Sequence, residues 1–222
     1  MSDRGGTRKW RQVLAGTGLS ALIVAGAVGA ASAQETAAAG TVAFVSLFGG
    51  TATIIDDGAE SALGNSGARI GPGDHVVTGT RGRVAVRLDG GIRFALGPNT
   101  DLRFDAPREE ADGWWGAVTV ETGIIQAAFA PEPPWTQVLV SSPAGVATSE
   151  GGNFVLETDG TMTSALSLGA RVVVSGQGDG ADTAAVLGPG VGVDVMPGWA
   201  PYAPVRWAES RVEDFMTRGA FP

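Results

Sequence analysis

Few residues in this chain have the types and spacing to do chemistry. His75 is the one histidine, and Asp74 precedes it. A His–Asp pair can act as a general base when both groups reach the same proton. Adjacent residues on a strand point to opposite faces, so these two side chains diverge. Asp74 reads as a turn residue and His75 as a strand-surface residue. Three acid pairs, Asp56–Asp57, Glu109–Glu110 and Asp179 with Asp182, raise glycosidase chemistry or calcium. Paired carboxylates do acid–base work only where their surroundings separate their pKa values. Exposed polar loops supply no such asymmetry. Gly176–Asp182 (GQGDGAD) has the outline of a calcium loop but lacks the alternating ligands and the closing glutamate. Gly188-Pro189-Gly190-Val191-Gly192 has neither the following helix nor the lysine of a phosphate loop. With no cysteine in the chain, thiol catalysis, thiolate metal sites and disulfides are excluded. The expectation is a non-enzymatic protein with no catalytic residue, no metal and no cofactor.

The aromatics are more suggestive. Trp114, Trp115 and Trp135 lie beside Pro- and Gly-rich turns. Tryptophan platforms bind partner proteins and sugars. These three are the candidate partner or glycan contacts, the alternative being that loops or a terminal helix cover them. Trp199, Tyr202 and Trp207 are expected to anchor that helix to the body.

The elements that must position these residues are short strands. The chain is organised around Gly71–Leu102. His75–Thr78, Val84–Leu88 and Ile92–Leu96 alternate apolar and polar residues between glycine turns, the pattern of half-buried strands. Asp89-Gly90-Gly91 is the strongest turn signal. Asp74, Thr78 and Asp89 read as turn and register devices. Further strands are expected at 42–47, 51–55, 101–105, 114–120, 124–129, 135–141, 153–158, 161–166, 170–175, 183–187 and 192–196, with a polar loop over 56–68. Glycine steps about 20 residues apart, at Gly145, Gly169 and Gly190, suggest coils. The fold class is therefore all-β, either a solenoid-like β-roll or a sandwich. Residues 204–219 place Val205, Ala208, Val212, Phe215 and Met216 near the 3.6 period, with Pro204 before and Gly219 at the end. They predict one amphipathic helix that caps an open end of the β-domain.

Residues 1–12 are basic, and 13–33 (VLAGTGLSALIVAGAVGAASA) are apolar, ending in Ala31-Ser32-Ala33. That is the plan of a secretory signal peptide, cleaved between Ala33 and Gln34. The run is also long enough to span a bilayer as an uncleaved inner-membrane anchor. Arg4, Arg8, Lys9 and Arg11 against Asp3 give residues 1–33 a net +3. The remaining residues carry 11 arginines against 22 acids, a net −11. So acidic a domain repels nucleic acid and anionic lipid. The division expected is a signal peptide at 1–33, a short flexible start at 34–40, an all-β domain at 41–196, and a linker and helix at 197–222.

Three blocks resemble the extracytoplasmic domain of the FecR family. The first is Gly73-Asp74, Val76, Thr78-Gly79, Gly82, Val84–Leu88 and Asp89-Gly90, closed by Leu96-Gly97-Pro98-Asn99-Thr100-Asp101-Leu102. The second is Ser142-Pro143-Ala144-Gly145-Val146 with Gly152-Asn153-Phe154-Val155, where Glu150-Gly151-Gly152 replaces the usual Arg-Gly-Thr. The third is Leu168-Gly169-Ala170-Arg171-Val172. The resemblance covers about residues 40–196 and implies a periplasmic all-β domain, which in the namesake regulators senses an outer-membrane transporter. The dozen residues before the apolar segment are too few to fold into those regulators' anti-sigma domain. The implied role is an exported protein-binding or signalling accessory module, periplasmic or secreted, whose partner is another envelope or outer-membrane protein. Nucleic acid is not expected as a partner, and the membrane is touched only if 13–33 stay attached. The alternative is a structural or carbohydrate-binding envelope protein that uses the tryptophans.

Overall fold

The computed structural model describes residues 43–169, 171–178 and 182–219, all within one unit, Ala37–Pro222. The signal segment, its cleavage site at Ala33 and Gln34, the start at 34–40 and Asp179 lie outside the described residues. The described strands are β1 (Ala43–Gly49), β2 (Ala52–Asp56), β3 (Ala59–Ala62), β4 (Ala68–Ile70), β5 (His75–Thr78), β6 (Arg83–Arg87), β7 (Ile92–Leu96), β8 (Asp101–Phe104), β9 (Arg108–Glu110), β10 (Gly113–Phe129), β11 (Trp135–Ser141), β12 (Gly145–Ser149), β13 (Gly152–Thr158), β14 (Thr163–Ser167), β15 (Val172–Gly176), β16 (Ala184–Leu187), β17 (Val191–Val195) and β18 (Val205–Arg206). A single helix, α1 (Glu209–Gly219), follows.

The all-β class with one C-terminal helix is as the sequence indicates. The strands form two curled ladders. Sheet A runs β4-β1-β6-β7-β10-β13-β14-β17-β18. Sheet B runs β3-β2-β5-β8-β10-β11-β12-β15-β16, with β9 beside the start of β10. All of these pairings are antiparallel except β10 with β11. Solenoid coils would stack in parallel; these ladders, joined through β10, instead form one curled, mostly antiparallel sheet, a half-barrel. Alternation sends Val76, Leu102, Val118, Val140 and Val174 of sheet B and Val45, Val86, Phe94, Ile125 and Phe154 of sheet A into one core. All ten are at most 1% exposed.

β10 joins the two layers. The sequence reads as two strands broken at Thr122-Gly123, but one 17-residue strand runs through both sheets. Its first half pairs in sheet B up to Thr122 and its second half in sheet A from Gly123. The register shifts between Val120 and Thr122, and Gly123 has φ +99°, a conformation that glycine adopts without a Cβ penalty. Thr100 fastens the crossing. Its hydroxyl donates to the Ile124 carbonyl (3.1 Å) and accepts from the Ile124 N–H (3.0 Å). Thr78 fastens the next layer, donating to the Gly97 carbonyl (2.7 Å) and accepting from Thr100 N–H (2.8 Å). The resemblance block around residues 96–102 therefore holds the corner where the sheets part.

The polar segment 56–68 is not only loop. Its residues 59–62 pair with β2 as a hairpin, and Ala68–Ile70 adds to the edge of sheet A. Burial cannot announce β3, because all four of its side chains are exposed.

The helix differs from expectation in start and place. Val205 and Arg206 pair with Gly192 and Val191, so a ladder takes the residues that periodicity assigns to the first turn. The helix begins at Glu209, and Arg211 and Val212 N–H donate to the Ala208 carbonyl. It does not cap an open end. It lies on the outer face of sheet A, where Trp207 and Phe215 pack on Ile124, Val155 and Leu166, with Val212 and Met216 beside them. Gly192 makes room: a Cβ there would lie 2.3 Å from Trp207 Cε2. Arg211 stacks 3.6 Å over the Trp207 ring and bonds Asp194 Oδ1 (2.6 Å) and Ser164 Oγ (3.0 Å). Arg218 bridges Glu157 and Asp214, and these two carboxylates hold its guanidinium charged. Arg83 donates to the carbonyls of Thr217 (2.6 Å) and Arg218 (3.0 Å), which are unsatisfied at a helix C-terminus. Of the three aromatics expected to anchor the helix, only Trp207 does so. Trp199 and Tyr202 remain 67% and 52% exposed, because the chain over 197–204 runs past the sheet before β18. Among the described residues, no helix is long and apolar enough to cross a membrane.

Candidate interaction face

With α1 lying over the β10, β13, β14 and β17 part of sheet A, the outer face of sheet B presents an open polar surface. Register puts Ile55, His75, Arg103, Thr119, Ser141, Val146 and Ser175 in one row across seven neighbouring strands. Their chain neighbours Val76, Leu102, Val118, Val140, Ala147 and Val174 are core residues. Alternation therefore turns the row outward.

The middle of the row is a hydrogen-bonded cluster. Arg103 donates to Thr119 Oγ1 (3.2 Å) and pairs with Asp105 (3.3 Å) and Glu121 (3.6 Å). The Thr119 hydroxyl donates to Asp105 Oδ2 (2.7 Å). An open cleft of about 680 Å³ lies beside this cluster, lined by Arg103, Asp105, Arg108, Glu121, Ser141 and Gln177 among others. Gln177 is held by donation from Nε2 to the Ser142 carbonyl (2.8 Å). The cleft thus offers both charge signs, hydroxyls and an amide in an open setting. Such a lining can pair with the backbone and polar side chains of a polypeptide.

His75 lies one strand from the cluster. Its Nδ1 is 2.9 Å from Asp101 Oδ1, a residue 26 positions away that the cross-strand register brings close. Asp74 does not join it. The Asp74 carboxylate accepts from the Gly71 N–H (2.8 Å), which closes the turn into β5 and matches its reading as a turn residue.

The three tryptophans separate into two environments. Trp114 and Trp135 are cross-strand partners, their ring centroids 6.0 Å apart and tilted 52°. Trp135 packs against the core and over the Asp89-Gly90-Gly91 turn, so that a Cβ at Gly90 would lie 2.0 Å from its Cγ. These two rings pack on each other, and Trp135 on the core and the β6–β7 turn. Trp115 alternates with Thr119 and Glu121 along β10 and belongs to the open face. Its Nε1 donates to Asp112 Oδ1 (3.3 Å). All three are half-buried.

The acid pairs that lie wholly within the described residues are at a turn and on an exposed strand. Asp57 lies in the β2–β3 turn with φ +46°, and Glu109 and Glu110 are exposed on β9. Among the described residues, no three His, Asp or Glu side chains gather at metal-binding spacing. Sequence reasoning missed Arg103, Asp105, Thr119, Glu121 and Ser141. Their signal was the polar half of the alternation in β8 and β10. It becomes a site only once the register puts those halves side by side.

No protein-family model matches the chain, and no curated protein sequence matches it. Solved structures do. Two crystal structures, at 2.50 Å and 1.65 Å, of a chain described as "a putative anti-sigma factor" from Parabacteroides distasonis ATCC 8503 are similar to it, each with a TM-score of 0.51. Identity is 14% and 13% over 64% of this chain, and the match spans 63% and 64% of theirs. At that identity the likeness is one of fold, and it covers less than two thirds of those chains.

Proposed function

We propose that this chain is an exported FecR-like module of the cell envelope that binds another protein and serves signalling as an accessory, without catalysis of its own. One observation carries the reading. The chain's own helix covers the outer face of sheet A over β10, β13, β14 and β17, while the outer face of sheet B carries no helix and holds the Arg103 cluster and its cleft. The likeness in fold to an anti-sigma factor, the three sequence blocks and the basic-then-apolar N-terminal segment support the same reading. Sheet B also ends on β16, which pairs only with β15 among the described residues. An added strand there would extend the face by β-augmentation.

The test sets a protein partner against glycan. The full-length chain is used to capture envelope proteins and, separately, is co-sedimented with peptidoglycan sacculi. Capture that is lost in Thr119→Arg and retained in Trp135→Phe supports a protein site on the open face. Sedimentation with sacculi that is lost in Trp115→Ala, with capture unaffected by Thr119→Arg, replaces it with the carbohydrate-binding alternative.

A further inference from the structure

A second surface lies on sheet A beside the helix, and it has the opposite charge to the rest of the domain. Register places Arg69 of β4, Phe44 of β1, Arg87 of β6 and Arg93 of β7 in one row across four adjacent strands. All four are exposed, and Phe44 keeps 42% of its surface in water. Their neighbours Ala43, Val45, Ile70, Val86, Ile92 and Phe94 are buried, so the row faces outward. Three of the 11 arginines beyond residue 33 are thus gathered within about 15 Å, in a region whose net charge is −11. Arg83, Arg103, Arg211 and Arg218 are engaged by carbonyls or carboxylates. Arg69 and Arg87 have no carboxylate within ion-pairing distance among the described residues. The nearest acids by position are Asp89 and Glu132, which share the shallow hollow of Arg87 and Arg93 at the β6–β7 turn.

Arg69 and Arg87 flank the exposed Phe44 ring on the two strands that pair with β1, so an anionic segment laid across β1 meets both cations. We infer that the Arg69–Phe44–Arg87–Arg93 row binds an extended acidic polypeptide segment that carries an apolar residue among its carboxylates. Strands lie about 4.8 Å apart, and same-face side chains of an extended chain recur about every 7 Å. Two or three carboxylates within about five residues therefore reach Arg69 on one side of Phe44 and Arg87 on the other. Phe44 offers its ring to the intervening apolar side chain. A lipid surface is the less fitting anion source, because the acidity of the surrounding domain repels an extended anionic plane and a short segment can be matched locally. This surface is independent of the sheet B face, and neither reading needs the other.

The probe is a fluorescent peptide of repeating Glu-Ser-Leu-Ser, which puts glutamate and leucine on the same face of an extended chain, titrated by anisotropy against the full-length chain at low salt. The same peptide with glutamine for glutamate and vesicles containing phosphatidylglycerol are run in parallel. Arg69→Ala with Arg87→Ala is expected to weaken the acidic peptide about tenfold or more, and added salt to weaken it further. Phe44→Ser is expected to weaken it as well, while Arg171→Ala on the other sheet leaves it unchanged. Unchanged circular dichroism of the exposed-site variants shows that the fold is kept. Equal binding by the double variant, equal binding of the glutamine peptide, no binding at low salt, or arginine-dependent binding of vesicles without the peptide would each overturn the inference.

Discussion

The residues that most repay attention are those whose roles depend on partners distant in sequence. Thr100 is part of a motif, but its function is to accept from the Ile124 N–H, and to share the Ile124 carbonyl with the Gly97 N–H, where β10 changes sheets. Thr100→Val keeps the shape and removes those bonds. Leaving buried groups unpaired costs about 1–3 kcal/mol, to be read from a urea unfolding curve. Gly192 opens the strand expected at 192–196, and in β17 it lies under the Trp207 ring. Gly192→Ala should displace Trp207 and destabilise by about 1–3 kcal/mol, with a shift in tryptophan emission. Asp194 shows how environment sets a charge. Burial alone would raise its carboxyl, but hydrogen bonds from Arg211 and Ser164 outweigh that and hold it below the usual range. A depressed carboxylate stabilises the fold above its unfolded pKa and loses that contribution as pH falls through the folded value. The stability gap between wild type and Asp194→Asn should therefore be full near neutrality and narrow below about pH 4, as thermal melts at several pH values will show. None of these roles is visible in local sequence, since each partner comes from another strand or the helix.

At the scale of elements, strands were legible where alternation is strict. The stretches 92–96 and 135–141 are β7 and β11 to the residue. What failed did so for a physical reason in each case. β3 buries nothing, so no pattern marks it. The glycine at 123 looks like a break because glycine usually ends strands, but here it lets one strand serve two sheets. The helix start moved because pairing with β17 overrides a helical period. The helix itself is held by an apolar stripe and by charge clamps at Arg211, Arg218 and Arg83. Phe215→Ala should cost about 3–5 kcal/mol of docking. Hydrogen exchange should then speed up in α1 and at Ile124, Val155 and Leu166 before it does in the core between the ladders. Uniform acceleration throughout the sheets would show that the helix is not a separable layer.

For the whole molecule, the arrangement divides the two sheets by task. Sheet A is shielded on its outer side by the helix, except for the arginine row at its far strands, and sheet B leaves its outer side to the solvent. Composition made the acidity and the all-β class readable. It could not tell which face would be covered, because that depends on where a single terminal helix lands. The tryptophans illustrate the same limit: Trp114 and Trp115 are adjacent, yet one packs against Trp135 and the other borders the open face. The most direct test of the open face as the partner-binding surface is site-specific photo-crosslinking of the full-length chain in the envelope of the producing cell. A photoreactive residue is placed in turn at Thr119, at Ser141 and, as a reference, at the exposed Thr161 turn. The expected result is one discrete protein adduct from Thr119 and Ser141 and none from Thr161. Adducts from Thr161 alone, or none from either position on the face, would contradict it.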